Sequence, residues 1–139
     1  MVNKIGSALA LLVLAIIASL GVGHIWSLQK EGQPSFAELK TASDQILFAL
    51  GANSVATPEY LNKTFFMQVD RKVDDGLTDD SMKRAIVHLK GQGWIQGRGA
   101  QVTLCKGKLV GEIARNSRDA ASGGHLYVSW GDAPARCAG

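Results

Sequence analysis

The sequence predicts an α+β fold: an N-terminal transmembrane helix, then a small extracytoplasmic domain with helices first and an antiparallel sheet later. Three observations predict it. An apolar run broken only by small or weakly polar residues and His24 occupies Ile5 to Leu28. Over Phe36 to Leu50 and again over Met82 to Leu89 apolar residues recur at helical spacing between recognisable caps. Beyond Gly91 the pattern changes to short β-type runs separated by glycine turns.

The apolar run begins after Met1-Val2-Asn3-Lys4 and contains only small or weakly polar interruptions besides His24. A helix of about 20 residues crosses a hydrocarbon core of roughly 30 Å, so the run is long enough to span. Ser19-Leu20-Gly21 and Gly21-Val22-Gly23 offer small-x-small sites for a signal peptidase. The run nevertheless continues through Val22, Ile25, Trp26 and Leu28, with Trp26 placed as an interfacial anchor and Lys30 beyond it. An uncleaved anchor is therefore the preferred reading. Lys4 and the amino terminus precede the span while Lys30-Glu31 after it is neutral, which puts the N-terminus in the cytoplasm and the C-terminal domain in the periplasm or outside the cell. Residues 1–30 form the anchor and residues 31–139 the outer domain. Ala15, Ser19 and Gly23 form a small-x-x-x-small series on one face of the span, a surface suited to packing against another membrane helix.

In the outer domain, Gly32-Gln33-Pro34 breaks the chain and Ser35-Phe36-Ala37-Glu38 reads as a capping box. Phe36, Leu39, Ile46, Leu47 and Leu50 give the following helix one apolar stripe, and Gly51 ends it. Thr57-Pro58-Glu59 is expected to open a further helical turn. Phe65, Met67 and Val69 alternate as in a strand, and Asp74-Asp75-Gly76 is a turn. Thr78 caps a third helix on which Met82, Ala85, Ile86 and Leu89 align, and Gly91 stops it. Val102 to Cys105, Leu109 to Ile113 and Leu126 to Trp130 read as strands, with Lys106-Gly107-Lys108 as a hairpin turn and Ser122-Gly123-Gly124 as a looser one.

The chain has 139 residues, 46% apolar and 19% charged, with 16 Gly and 3 Pro, which excludes a wholly disordered or collagen-like chain. Its net charge of +3 is unevenly spread. Residues 31–80 carry four basic side chains against nine acidic ones, and residues 83–139 carry nine basic against three acidic. Mutual neutralisation within one fold is the simplest reading. A basic half that meets nucleic acid or anionic lipid, and an acidic face that meets a neighbour's basic face, are the alternatives.

Cys105 and Cys137 are the only cysteines. Two thiols in a small domain outside the cytoplasm usually pair, and this pair would tie the C-terminal tail to the sheet. They are too far apart for a redox Cys-x-x-Cys motif, and two ligands do not make a zinc site. No catalytic, cofactor or metal constellation stands out. Ser122, His125 and Asp132 contain the residue types of a triad, but turn and strand-edge roles account for them, and no Gly-x-Ser-x-Gly elbow is present. The Gly91–Gly99 stretch lacks the Gly-Lys-Ser/Thr ending of a phosphate loop and reads as a flexible helix-to-strand connection. The acidic run Asp70 to Asp80 lacks calcium-loop spacing and reads as a solvated turn and helix start. A helix ending at Leu89-Lys90-Gly91 before a basic hairpin has the pattern of a winged-helix DNA reader, but an extracytoplasmic head meets no DNA, so no nucleic-acid partner is expected.

The two ends of the chain resemble type IV pilins. Met1-Val2-Asn3-Lys4-Ile5-Gly6 before Ser7-Ala8-Leu9-Ala10-Leu11 is similar to a prepilin leader and the start of its hydrophobic helix. Gly76-Leu77-Thr78 before Met82-Lys83, and Leu104-Cys105-Lys106-Gly107, resemble segments of type IVb pilin heads. The resemblance implies leader cleavage after Gly6, a filament-forming helix and an α+β head closed by a disulfide near its C-terminus. Leu11 stands where pilins usually carry Glu, Met82 where type IVb heads commonly carry Cys, and Gly32-Gln33-Pro34 interrupts the long helix of that family.

The expected function is a membrane-anchored, non-enzymatic structural or assembly subunit of a bacterial-type envelope complex, pilin-like if the resemblance holds. Its partners would be membrane lipid and other protein subunits, copies of itself included. The alternative is a periplasmic inhibitor or immunity protein whose head binds a partner enzyme.

Overall fold

The computed structural model describes residues 15–16, 32–52, 54, 57–63, 66–98, 101–116, 123–131 and 137. The chain divides into two units, Met1–Gln33 and Pro34–Gly139. In the first, Ala15 and Ile16 are helical; the remainder of the expected membrane segment lies outside the described residues. Among the described residues no helix is long and apolar enough to cross a membrane.

Among its described residues the second unit is α+β, with two helices on one face of a six-stranded antiparallel sheet. Helix α1 (Phe36–Leu50) starts because Ser35 is extended and closes a reciprocal capping box. Its hydroxyl accepts from the Glu38 N–H at 3.2 Å, and the Glu38 carboxylate accepts from the Ser35 N–H at 2.6 Å. The helix ends where Gly51 turns left-handed at φ 66° and Ala52 donates back to the Leu47 carbonyl.

Helix α2 (Asp79–Lys90) uses Thr78 as N-cap, with Ser81 rather than Glu or Gln as the reciprocal partner. Asp79 and Asp80 lie in its first turn and His88 and Lys90 in its last, both favourable to the helix dipole.

The segment after Pro58 is a correction to the sequence reading: Glu59–Lys63 is strand β1, not a helical turn. It pairs antiparallel with β2 (Phe66–Val73), from Glu59 opposite Asp70 to Lys63 opposite Phe66. The physical reason is length and partner. A helix this short cannot offset its own nucleation, whereas β2 is fixed by buried Met67, Val69 and Val73 and offers a ready ladder. Pro58 stands just before the strand, where its missing N–H removes no ladder bond. Strand β2 also runs through Asp70-Arg71-Lys72, so the solvated turn expected from Asp70 onward begins only after Val73.

The glycine-rich connection is more ordered than expected. Gly93 adopts φ 86°, and the Trp94 N–H donates to the Leu89 carbonyl at 3.0 Å. Trp94 is then buried, with the Lys106 ammonium 5.7 Å from its ring centroid. A short strand β3 (Ile95–Gln96) follows, pairing with β4 (Val102–Lys106). Gly107 at φ 58° makes the tight turn into β5 (Leu109–Arg115), and β6 (Gly124–Trp130) returns beside it.

The strand order is β1-β2-β6-β5-β4-β3, so β6 lies between the N-terminal hairpin and the C-terminal meander. The core lies between sheet and helices. Leu39, Ile46 and Leu50 of α1 and Met82 and Leu89 of α2 pack with Val69, Leu104, Ile113, Leu126 and Val128. A Cβ built at Gly111 would stand 2.6 Å from Ile46 Cδ1, so this glycine lets α1 approach β5 closely. Two arginines reach from the sheet to the helices: Arg71 to Asp44 at 3.3 Å and Arg115 to Asp79 at 2.8 Å.

Candidate functional site: the open face and free edge of the sheet

Strand alternation sends every second side chain to the face away from the helices. In register across β1, β2, β6, β5 and β4 this places Glu59, Asp70, Tyr127, Glu112 and Thr103 in one row. Lys72, His125 and Ala114 form the next. The face therefore gathers carboxylates, an imidazole, a phenol and an ammonium that are scattered along the sequence.

The centre of this arrangement is His125. Its Nδ1 lies 3.0 Å from Asp70 Oδ1, a diagonal contact between β6 and β2. Its ring stacks on Tyr127, with centroids 5.7 Å apart and planes 9° from parallel. Burial raises the Tyr127 phenol above its ordinary value of 10.0, and the charges of Asp70 and Glu112 push in the same direction. The phenol is thus a neutral hydrogen-bonding group at physiological pH. Thr57, Glu59, Asp70, Lys72 and His125 surround a shallow cavity of about 120 Å³. Such a cavity can hold a small polar group or the tip of a side chain. Among the described residues no three His, Cys, Asp or Glu side chains converge as a metal cage.

Further along the same face the character changes. Thr103, Cys105, Val110 and Ser129 are buried although they face away from the helices. Cys105 is bridged to Cys137 across 5.9 Å between Cα atoms, which fixes the C-terminal end of the chain to this face. The pairing expected from the sequence is present.

Of the other residues singled out in the sequence, His125 has a carboxylate partner, but it is Asp70; Ser122 and Asp132 lie outside the described residues. His88 is on the exposed side of α2, 3.0 Å from the Gln92 amide and beside the Phe48 ring. Gly6, Ser19 and Gly23 lie outside the described residues, and Ala15 is helical. The basic hairpin β4–β5 is enclosed by β3 and β6, so it is not the projecting wing of a winged helix. Asp70 was missed because nothing local distinguishes it; the alternation Asp70-Arg71-Lys72 against His125-Leu126-Tyr127 was the available signal.

At one end of the sheet β1 is exposed at all five positions, including Tyr60 and Leu61. Among the described residues no strand covers its outer edge. No protein family, curated protein or solved structure matches the chain.

Proposed function

We propose that the chain is a membrane-anchored, non-enzymatic structural or assembly subunit of a bacterial-type envelope complex, with residues 31–139 as its extracytoplasmic head. The observation that carries this reading is the Cys105–Cys137 bridge. Disulfides persist in oxidising compartments and are rare in reducing ones, so a bridged head fits the side of the membrane that the Lys4 asymmetry assigns to it. The exposed β1 edge and the exposed Phe48 and Val87 side chains add surface of the kind that protein partners cover. The pilin-like form of the reading draws support from a helix packed on an antiparallel sheet and a bridge to the C-terminal end. Against it, residues 32–35 are non-helical and Ser35 starts α1 afresh.

The test joins topology to assembly. A reporter active only outside the cytoplasm, fused after Gly139, is expected to be active. Ser19→Leu with Gly23→Leu is expected to keep the chain in the membrane while reducing co-purification of its native complex from mild detergent. Cytoplasmic reporter activity overturns the topology. Full function after exchange of residues 5–28 for an unrelated apolar segment reduces the anchor to a tether and favours the inhibitor or immunity-protein reading.

A further inference from the structure

We propose that β1 is a self-complementary edge: it pairs antiparallel with β1 of a second copy about a two-fold axis through Leu61. The inference goes beyond the assembly reading and applies to an anchored or a released head alike.

The first support is the edge itself. An unpaired edge strand presents a row of N–H and C=O groups that another strand can complete, and proteins commonly blunt such edges with short strands, charges, proline or bulges. Glu59-Tyr60-Leu61-Asn62-Lys63 has no proline or bulge within the strand, and its two end charges, which oppose pairing with an arbitrary strand, are of opposite sign and so match a reversed copy of the same strand. All five residues are exposed, so a second strand can approach without displacing structure described on this edge.

The second support is charge. Antiparallel pairing centred on Leu61 places Glu59 opposite Lys63 of the second copy, Tyr60 opposite Asn62, and Leu61 opposite itself. Both copies gain an opposite-charge pair, and the two exposed leucines cover each other. Directly opposed residues are the pairs whose side chains interact across strands. A slip of two residues in either direction breaks both charge pairs, so the register is specified.

The third support is what each charge lacks within its own chain. Among the described residues, neither Glu59 nor Lys63 forms an ion pair. Glu59 instead stands directly opposite Asp70, and like charges across a ladder are unfavourable. Lys72 and His125 line the same cavity as Glu59 but engage Asp74 and Asp70, so among the described residues Glu59 has no ion-paired cation of its own. Lys63 of a second copy supplies that cation.

The geometry of the faces agrees with a two-fold axis normal to the sheet. Tyr60 lies toward the helices, edge-on to Phe36 with ring centroids 5.0 Å apart. Glu59, Leu61 and Lys63 alternate to the open face. A closed two-fold interface uses the same patch on both copies. Here it joins two six-stranded sheets into one, with α1 and α2 of both copies on one side and both open faces on the other. One five-residue strand is less than the standard interface area, so the contact is concentration-dependent.

Cross-linking of the full chain in membranes or mild detergent tests the register. Leu61→Cys is expected to give an intermolecular disulfide on mild oxidation, because opposed Cα atoms lie within roughly 4.5–5.5 Å, inside disulfide reach. Lys63→Cys places its two thiols four residues apart along the ladder, roughly 13 Å, and is expected to cross-link at least about tenfold less. In the Leu61→Cys background, Glu59→Lys or Lys63→Glu alone is expected to suppress the dimer, and mixing the two charge variants to restore it as a heterodimer. An unchanged cooperative urea transition verifies that the head stays folded in each variant. Equal cross-linking of Leu61→Cys and Lys63→Cys overturns the proposal, as does cross-linking unaffected by either charge reversal. A negative result here leaves the reporter and co-purification tests of the assembly reading untouched.

Discussion

Replacing Gly111 by alanine probes how closely the helical layer is held to the sheet. The added Cβ would stand 2.6 Å from Ile46 Cδ1, with Trp94 Cζ3 at 3.7 Å and Leu104 Cβ at 3.8 Å. The last two are ordinary contacts. The first is about 1 Å inside the favourable range for carbon pairs, ~3.5–4.0 Å. Ile46 is fully buried, so its methyl moves only if neighbours move with it. Overpacking of this kind costs about 1–3 kcal/mol, and relief of the glycine's backbone entropy in a strand returns about 0.5–1 kcal/mol. Gly111→Ala is therefore expected to destabilise by roughly 1 kcal/mol net. Ile46→Val removes the clashing carbon and alone costs about 0.5–1.5 kcal/mol. Combined, the alanine methyl enters the space the isoleucine vacates, and the double variant should be no less stable than Ile46→Val alone. Urea unfolding of the full chain in mild detergent, followed through tryptophan fluorescence to which buried Trp94 contributes, measures the cycle. The expected coupling is about 1 kcal/mol or more, above the ~0.3–0.5 kcal/mol scatter of independent sites. Additivity within that scatter would show that the Gly111–Ile46 contact does not set the spacing of α1 on the sheet.

Two further outcomes are expected. The Cys105–Cys137 bridge closes a loop with sequence separation 32, for which chain entropy gives about 3.5–4 kcal/mol. Cys105→Ser with Cys137→Ser should lower stability by that order, and the native thiols should resist labelling until the chain is reduced and unfolded. Rapid labelling without reductant contradicts the bridge. Because burial, Asp70 and Glu112 raise the Tyr127 phenol above 10.0, the folded chain holds that proton longer than the unfolded chain. The resulting contribution is complete below pH 10.0 and falls away as pH rises through the higher folded value. Tyr127→Phe should therefore gain thermal stability relative to wild type between pH 9 and about 11, and a pH-independent difference would refute the shift.

The parts of the fold legible in the sequence are those fixed by neighbours in the chain. Ser35 with Glu38, Gly51 and Thr78 mark helix ends because capping is a contact between residues three or four apart. β4, β5 and β6 were legible from alternation and from Gly107, whose positive φ the hairpin requires. β1 was not, because all five of its residues are exposed and no buried periodicity distinguishes them. Its conformation comes from β2, and Thr57-Pro58 carries an equally good helix-start signal. β3 is two residues long, below any periodicity. The insertion of β6 between β2 and β5 is a non-local choice, and it creates the open-face cluster. Asp70 and His125 are 55 residues apart, and only the ladder from Met67 opposite Trp130 to Val73 opposite Gly124 brings them together.

The uneven charge of the chain takes on a different meaning once that ladder is in place. β2 belongs to the acidic stretch and β6 to the basic one, yet they are adjacent in the middle of the sheet. Asp79 on α2 meets Arg115 on β5, and Asp70 on β2 meets His125 on β6. Each contact joins the acidic part of the sequence to the basic part. On the helical side Asp44 is held by Arg71 from the sheet and Lys40 from its own helix. A division along the sequence is therefore not a division of the surface, and the neutralising reading of the two halves is the one these pairs support. Screening weakens the exposed members of such pairs, so their worth to stability is small. Their consequence is for recognition. At β1, Glu59 and Lys63 have no ion-pair partner among the described residues and stand at opposite ends of one exposed strand with Leu61 between them. Long-range attraction between whole halves would tolerate many orientations. Two opposite charges four residues apart on a free hydrogen-bonding edge accept one direction and one register, which is the information an assembling surface needs.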